Sequence, residues 1–414
     1  MRYCYALAIT LAAPLLVLRL LWRSIKLPAY RKRIAERFGI FTYAAVSPSI
    51  LVHAVSVGES IAAIPVIKQL QQKYPRHNIV VTCTTPTGSV CINKEFGNRV
   101  LHVYLPFDIP GAVQRFLNTI NPEILVIMET ELWPNLLYYC NKRAIRIILA
   151  NARLSARSYR RYKLISTSIQ AMLQQISIIA AQSTADADRF ISLGATAEKV
   201  IITGNIKFDI NIDINTADLR ALKIILGHNR PVWIAASTHA GEEELVLQAF
   251  RKILVSIPEA LLILVPRHPN RFIEVATIIT DMKFSCVKRS SGKPCAASTQ
   301  VFLGDSMGEL NLLYAASAVA FVGGSLVNIG GHNLLEPAAV GVPIVTGDIL
   351  RNFIAVRDLL LAADALTIIN NINDLASKVI YLLQNNPARA TIAARALQVV
   401  ADNKGALEQL IALI

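Results

Sequence analysis

An α/β fold of two doubly wound parallel sheets is what this chain predicts, on three observations. Short β-rich runs alternate with helical stretches in a repeated strand, turn, helix order. At 414 residues the chain exceeds one ordinary core, and 53% hydrophobic residues supply material for two. Polar and glycine residues cluster directly after several of the apolar runs, where open α/β sheets place their ligands.

Strands are expected at 49–55, 78–84, 102–105, 124–128, 146–150, 177–181 and 200–203, with helical patterns between them. A polar interval over 204–230 follows, and then a second series at 232–236, 261–265, 284–287, 301–303, 319–322 and 343–346. The repetition of one architecture divides the chain into an apolar segment at 1–22, a Rossmann-like domain at 23–203 and a second one at 204–414. Their joint is expected near 204–213. The closing stretch 388–414 is helical and free to return onto the first domain. Two such sheets, with ligands on their strand C-terminal edges, are expected to face a cleft.

A formal net charge of +14 calls for an anionic partner: nucleic acid, a phosphorylated substrate or an acidic membrane surface. Its distribution favours the last two. Within the first forty residues Arg2, Arg19, Arg23, Lys26, Arg31, Lys32, Arg33 and Arg37 face only Glu36, so about half the net charge lies there. That cluster adjoins the uncharged run Tyr3 to Leu18, which resumes at Leu20 to Trp22 and reads as a retained membrane anchor, spanning or interfacial. A signal peptide fits less well, because the run enters a basic stretch without a convincing cleavage site. The flanking cations would leave the domains on the cytoplasmic side. Nucleic acid is not the expected partner, being less attractive because no stacking aromatics interleave with a basic stripe and no DNA- or RNA-binding module is recognisable. Six cysteines without CxxC spacing fit a reducing compartment, and scattered histidines give no zinc pattern.

Two carboxylates, Glu129 and Glu131, lie in Met128-Glu129-Thr130-Glu131-Leu132-Trp133-Pro134-Asn135, directly after a buried-strand pattern. A third, Glu59, follows the strand at 49–55 in His53-Ala54-Val55-Ser56-Val57-Gly58-Glu59. In the second domain Gly323-Gly324-Ser325 ends a strand and Gly330 to Pro337 opens a helix. There glycine would let N–H groups approach an anion, and Asn333 with Glu336 suits a nucleotide's hydroxyls. The alternative for those glycines is a capped turn. Gly304 to Glu309 and Pro266-Arg267-His268-Pro269 repeat the placement, the latter with a cation for phosphate. Asp186 and Asp188 mimic a DxD metal motif, but their place after Ser183 reads as helix capping. Arg153, Arg157, Arg160, Arg161 and Lys163 form either a solvated face or a site for anionic head groups.

Together with 30–39 (YRKRIAERFG), 85–89 (TPTGS), 151–155 (NARLS), 204–209 (GNIKFD) and 307–309 (MGE), these motifs make the chain similar, nearly end to end, to the 3-deoxy-D-manno-octulosonic acid (Kdo) transferases of lipopolysaccharide synthesis. Asp348 stands after Gly347 where that pattern would have proline, which touches only a loop. The resemblance implies a GT-B glycosyltransferase of the bacterial inner membrane that uses neither cofactor nor metal. It would invert the sugar while moving Kdo from CMP-Kdo to a tetraacylated lipid A precursor. It implies Glu59 as general base, Glu129 and Lys207 beside the reacting centre, and a CMP-binding set of Arg267, His268, Met307, Gly308, Glu309, Asn333, Leu334, Leu335 and Glu336. Fold does not fix function, so the competing expectations are an N-acetylglucosaminyl transferase, a UDP-sugar epimerase, or a membrane-surface binding protein without catalysis.

Overall fold

The computed structural model describes all residues except 1, 43–46, 228–229 and 352. Met1 of the expected anchor and two residues of the expected polar interval lie outside the described residues. Two compact units divide the chain: Met1–Asp209 with Lys404–Ile414, and Ile210–Asn403.

The first unit is built on strands β1 (Ser49–His53), β2 (Asn78–Cys83), β3 (Leu101–Tyr104), β4 (Pro122–Met128), β5 (Arg146–Ala152), β6 (Ile178–Ala181) and β7 (Val200–Ile202). They form one parallel sheet in the order β3-β2-β1-β4-β5-β6-β7. The strands are nearly continuous apolar runs because helices cover both faces. Alternation sorts the side chains: Leu51, Leu125 and Ile127 enter one core, and Ile50, Val52, Val126 and Met128 the other. The second core is completed by the helix Ala406–Leu413, through Ala406, Leu410 and Ile414. Asp209 anchors that helix by accepting from the N–H groups of Gly405 (2.6 Å) and Leu407 (2.7 Å).

The second unit contains β8 (Val232–Thr238), β9 (Leu261–Pro266), β10 (Cys286–Lys288), β11 (Val301–Leu303), β12 (Val319–Val322), β13 (Ile344–Gly347) and β14 (Leu366–Ile369). All neighbours are parallel, in the order β10-β11-β9-β8-β12-β13-β14. Each sheet therefore has a point where the winding reverses, between β1 and β4 in one and between β8 and β12 in the other. The strand β14 is absent from the expected series. The interval expected to be polar contains a helix, Thr216–Leu226, capped by Asn215 and held down by Leu219, Leu222 and Leu226.

The 1–22 segment forms two helices, Arg2–Leu11 and Ala13–Lys26, bent by 51° at the break. Among the described residues no single helix is long and apolar enough to cross a membrane; only the bent pair passes such a test jointly. Arg2 stacks its guanidinium 3.5 Å above the Tyr138 ring, so it binds the protein itself. Two more cations of the basic cluster are also used internally. Arg37 donates to the Thr84 carbonyl (2.7 Å) and stacks on Tyr104, and Arg33 donates to the His102 carbonyl (2.7 Å). Glu36 accepts from the Tyr104 N–H (2.8 Å), so the 30–39 motif covers the exposed edge of β3. Gly39 ends it against the helix Pro110–Ile120, where a Cβ would lie 2.2 Å from the Ala112 carbonyl oxygen.

Candidate active site

The winding of the first sheet reverses between β1 and β4, and both expected carboxylates follow these two strands. Glu59 lies in the first turn of the helix Val57–Lys73 and closes a capping box with Ser56. The Glu59 N–H donates to Ser56 Oγ (3.3 Å), the Ser56 hydroxyl donates to Glu59 Oε1 (2.8 Å), and the Val55 N–H donates to Oε2 (2.8 Å). The carboxylate is thus fixed at the strand end with lone pairs left on both oxygens. Burial raises its pKa above the ordinary 4.5, those hydrogen bonds oppose the rise, and the Glu129 charge adds to it. The outcome is a fixed carboxylate of increased basicity, which is what proton abstraction from a hydroxyl requires.

Glu129 has a left-handed backbone, φ 57°, on leaving β4, and its N–H stays in the sheet by donating to the Ala150 carbonyl (2.9 Å). Its carboxylate meets Lys207 Nζ at 2.8 Å. Lys207 is delivered from beyond β7 by a short turn: Asn205 Oδ1 accepts the Lys207 N–H (3.0 Å), and Asn151 Oδ1, at the end of β5, accepts the Ile206 N–H (3.1 Å). Asn151 and Asn205, one from each of the 151–155 and 204–209 motifs, thus hold the turn that presents Lys207 to this half-exposed ion pair. If the pair acts as a unit, Lys207→Met and Glu129→Gln should each lower kcat by about a hundredfold or more, and the double variant should be no worse than either. Rate measurements on all three check this; additive losses, or Lys207→Met at wild-type rate, count against it.

Glu131 is missing from the expected catalytic set, although it is the second carboxylate of the same motif. Burial, and after it the Glu59 charge, pushes it up to about 7, so the two carboxylates sense one another. It lines a cavity of about 710 Å³ together with Trp133, Tyr162, Ile165, Ile169 and Met172. The motif's end is secured by Asp108, whose carboxylate accepts the N–H groups of Asn135 and Leu136, both at 2.8 Å, at the start of the helix Pro134–Lys142. The pattern at 186–188 is structural: Asp186 accepts from the Leu154 N–H (2.8 Å) and the Ser183 hydroxyl (2.5 Å). Among the described residues no three His, Cys, Asp or Glu side chains converge as metal ligands.

In the second unit the residues of the nucleotide set follow β9, β11 and β12. Arg267 and His268 leave β9 exposed, with the Arg267 N–H donating to the Thr238 carbonyl (3.0 Å). Glu309 is gripped by Arg289 at both oxygens (3.1 and 2.7 Å), which, more than any other influence, holds it below the ordinary carboxylate range. Beside it Met307 is 61% exposed, and Gly308 adopts φ 89°. Gly308 and Glu309 line a cavity of about 500 Å³ with Arg289, Asn215 and Asp218. Asn333 Nδ2 donates to Glu336 Oε1 (3.1 Å), and its Oδ1 accepts the Leu335 N–H (3.0 Å). Burial raises Glu336, while Asn333 and then Arg267 oppose the rise. Leu334 and Leu335 are core side chains, so only their backbone is available to a ligand.

The expectation that the glycines after β12 leave N–H groups for a ligand needs correction. Those of Gly324 (2.7 Å), Ser325 (3.0 Å) and Leu326 (3.0 Å) already donate to Glu242, a fully buried carboxylate in the first turn of the helix Glu242–Ser256. The anion in this nest is part of the chain.

Two doubly wound parallel sheets, each with its polar groups on the C-terminal strand edges, place the chain in the GT-B-like class of α/β folds. A solved glycosyltransferase from Rickettsia africae shares the fold: TM-score 0.56, 15% identity, 89% of this chain and 97% of that one covered. Closer similarity identifies the family. The profile described as 3-Deoxy-D-manno-octulosonic-acid transferase (kdotransferase) matches residues 32–210. The 3-deoxy-D-manno-octulosonic acid transferase of Haemophilus influenzae is 43% identical over 100% of this chain and 98% of its own length. That of Bordetella pertussis is 35% identical, covering 88% and 87% respectively. The chain belongs to the family of 3-deoxy-D-manno-octulosonic acid transferases, and is an enzyme that transfers this sugar.

Proposed function

We propose that the chain moves Kdo from CMP-Kdo to a tetraacylated lipid A precursor, the entry of this sugar into lipopolysaccharide, at the cytoplasmic face of the inner membrane. The end-to-end likeness to the Haemophilus influenzae transferase carries the reading. Glu59 takes the proton of the acceptor hydroxyl while that oxygen bonds to the anomeric carbon of Kdo, with inversion. The bond from that carbon to phosphate breaks, and its electron pair leaves with CMP. Lys207 offsets charge on the departing phosphate and Glu129 supports the electron-poor carbon, and because each side chain is held in place by the other the two act as one unit. Arg267, His268, Met307, Gly308, Glu309 and the 333–336 turn hold CMP, and no metal or cofactor takes part.

The acceptor's apolar part suits the cavity beside Glu131, whose walls are Trp133, Ile165, Ile169 and Met172. The helix pair at 2–26 is best read as lying in the membrane interface. Tyr3, Leu7, Leu11, Leu15, Leu18, Trp22 and Ile25 are all exposed and recur at steps of three and four, an apolar face on one side only. Exposed Arg19, Arg23 and Arg31 add attraction to anionic lipid. Arg157, Arg160, Arg161 and Lys163 on the helix Ala156–Lys163 give a second basic surface.

The test is transfer from freshly generated CMP-Kdo to the tetraacyl precursor in detergent with chelator present, read by product mass. Product is expected, and its mass counts the sugars added. Turnover of a UDP-sugar with none of CMP-Kdo would overturn the assignment.

A further inference from the structure

The reversal point of the second sheet, between β8 and β12, is bridged by a contact that no expected site residue makes. His239, the first residue after β8, and His332, in the loop after β12, meet with Nε2 to Nε2 at 2.7 Å, their rings parallel within 4° and 5.0 Å apart. His268, from the end of β9, packs edge-on against His239 at 5.4 Å. The pair is built in. The Glu242 carboxylate that holds the β12 loop also accepts the His239 N–H (3.0 Å). Gly324, at φ 69°, makes room for the second ring, since a Cβ there would lie 2.8 Å from His332 Cδ2. Both rings are half-buried at the place where open α/β sheets take their ligands.

We propose that His239 and His332 form an anion-binding element for the donor, which takes up one proton as an anionic oxygen of the donor arrives. This rests on the reading of CMP-Kdo as donor. The chemistry follows from the contact. In a neutral pair one Nε2 donates its N–H and the other accepts it, which fixes opposite tautomers. Of the two remaining nitrogens, one Nδ1 is then an N–H and the other a bare lone pair that repels an anion. One added proton leaves the Nε2 contact in place and turns the second Nδ1 into a donor, so the pair offers two N–H groups and one positive charge.

Without ligand the proton is disfavoured. Burial lowers both imidazoles, and His332 is held down to about 4 by burial and then by His239. The charged and titratable groups facing the pair are Arg267, His268 and Arg271 from the β9 side, which oppose a further charge, and Glu242 from the helix after β8, which favours it. An incoming phosphate or carboxylate tips this balance, and linkage then requires proton uptake on binding. Donor affinity should therefore fall as pH rises through neutrality.

Calorimetric titration of the full chain with CMP and with CMP-Kdo, in two buffers of different ionisation enthalpy at one pH near neutrality, reads the proton number. The phosphate of CMP can itself exchange a proton, so the readout is the difference between wild type and His332→Gln or His239→Asn at the same ligand. Wild type should take up about one proton more than either variant, and each variant should bind about tenfold more weakly, the loss of one charge-assisted hydrogen bond. An excess seen with CMP identifies phosphate as the anion; an excess seen only with CMP-Kdo identifies the sugar carboxylate. Should one variant fail to fold, the other carries the comparison. Equal proton numbers, or unchanged affinity in the folded variants while wild type binds and transfers Kdo, would overturn the proposal. Wild type that binds neither ligand and transfers nothing would overturn it together with the donor assignment.

Discussion

Glu59→Gln is expected to lower kcat/KM by about a hundred- to ten-thousand-fold, the range for loss of a general base, with little change in stability. Glutamine preserves the cap: its carbonyl oxygen can accept the Val55 N–H, and its amide can face Ser56 Oγ, which already accepts the Glu59 N–H. Only the basic lone pairs are lost. Glu59→Ala should be equally inactive and in addition lose about 1 kcal/mol as the capping box opens. The pair of variants thus separates chemistry from architecture. In wild type kcat/KM should rise with pH, because the base works ionised, and the midpoint should lie above the ordinary carboxylate value of 4.5 as burial and Glu129 dictate. Removing the Glu131 carboxyl, itself pushed up to about 7, takes away a potential like charge, so Glu131→Gln should leave the midpoint in place or lower it and never raise it. Pre-steady-state transfer rates against pH settle both points. Glu59→Gln within a few-fold of wild type would remove Glu59 as the base.

How far such a site can be read in advance depends on the distance over which its parts meet. The strands β1 and β4 were legible because Ile50 to Val52 and Ile124 to Met128 are unbroken apolar runs, buried on both faces. β14 was not, because Leu366 to Ile369 is a four-residue edge strand with two half-exposed positions, enclosed by helical patterns. The helix Thr216–Leu226 carried a legible signal in the Asn215 cap and the spacing of Leu219, Leu222 and Leu226, but polar neighbours masked it. At the site, Glu59 and Glu129 stand out by position after strands, and Ser56-x-x-Glu59 spells the capping box. The partner of Glu129 is 78 residues away, and no local spacing relates Lys207 to it. The same holds for His239 and His332, which stand 93 residues apart. Glycines after a strand announce an anion nest without saying which anion fills it; here the answer lies 82 residues earlier, in Glu242.

That answer sets a large stability effect in the second unit. Glu242 is fully buried and accepts four N–H groups, from His239 (3.0 Å), Gly324 (2.7 Å), Ser325 (3.0 Å) and Leu326 (3.0 Å). Glu242→Ala would leave all four donors without their partner, and each unmet donor costs about 1–3 kcal/mol where water cannot reach it, as at the buried Gly324 and Ser325 N–H groups. Partial relaxation tempers the sum, so a loss of about 3–5 kcal/mol is expected, comparable with breaking a buried ion pair. For a unit of this size that lowers its melting temperature by about 10 °C. Glu242→Gln should fall between, since its amide group must turn N–H toward N–H at one edge of the nest. The nearby ion pair of Arg271 and Glu243 (2.6 Å) belongs to the same helix start but hydrogen-bonds none of these four donors, so it should remain intact. Thermal and urea unfolding of the full chain check the order wild type, Gln, Ala. Since the hole left by alanine has the shape and charge preference of a carboxylate, formate should restore part of the lost stability in Glu242→Ala and none in wild type. An alanine variant melting within about 2 °C of wild type would mean that the β12 loop keeps its shape without the internal anion, and that its N–H groups are open to a ligand after all.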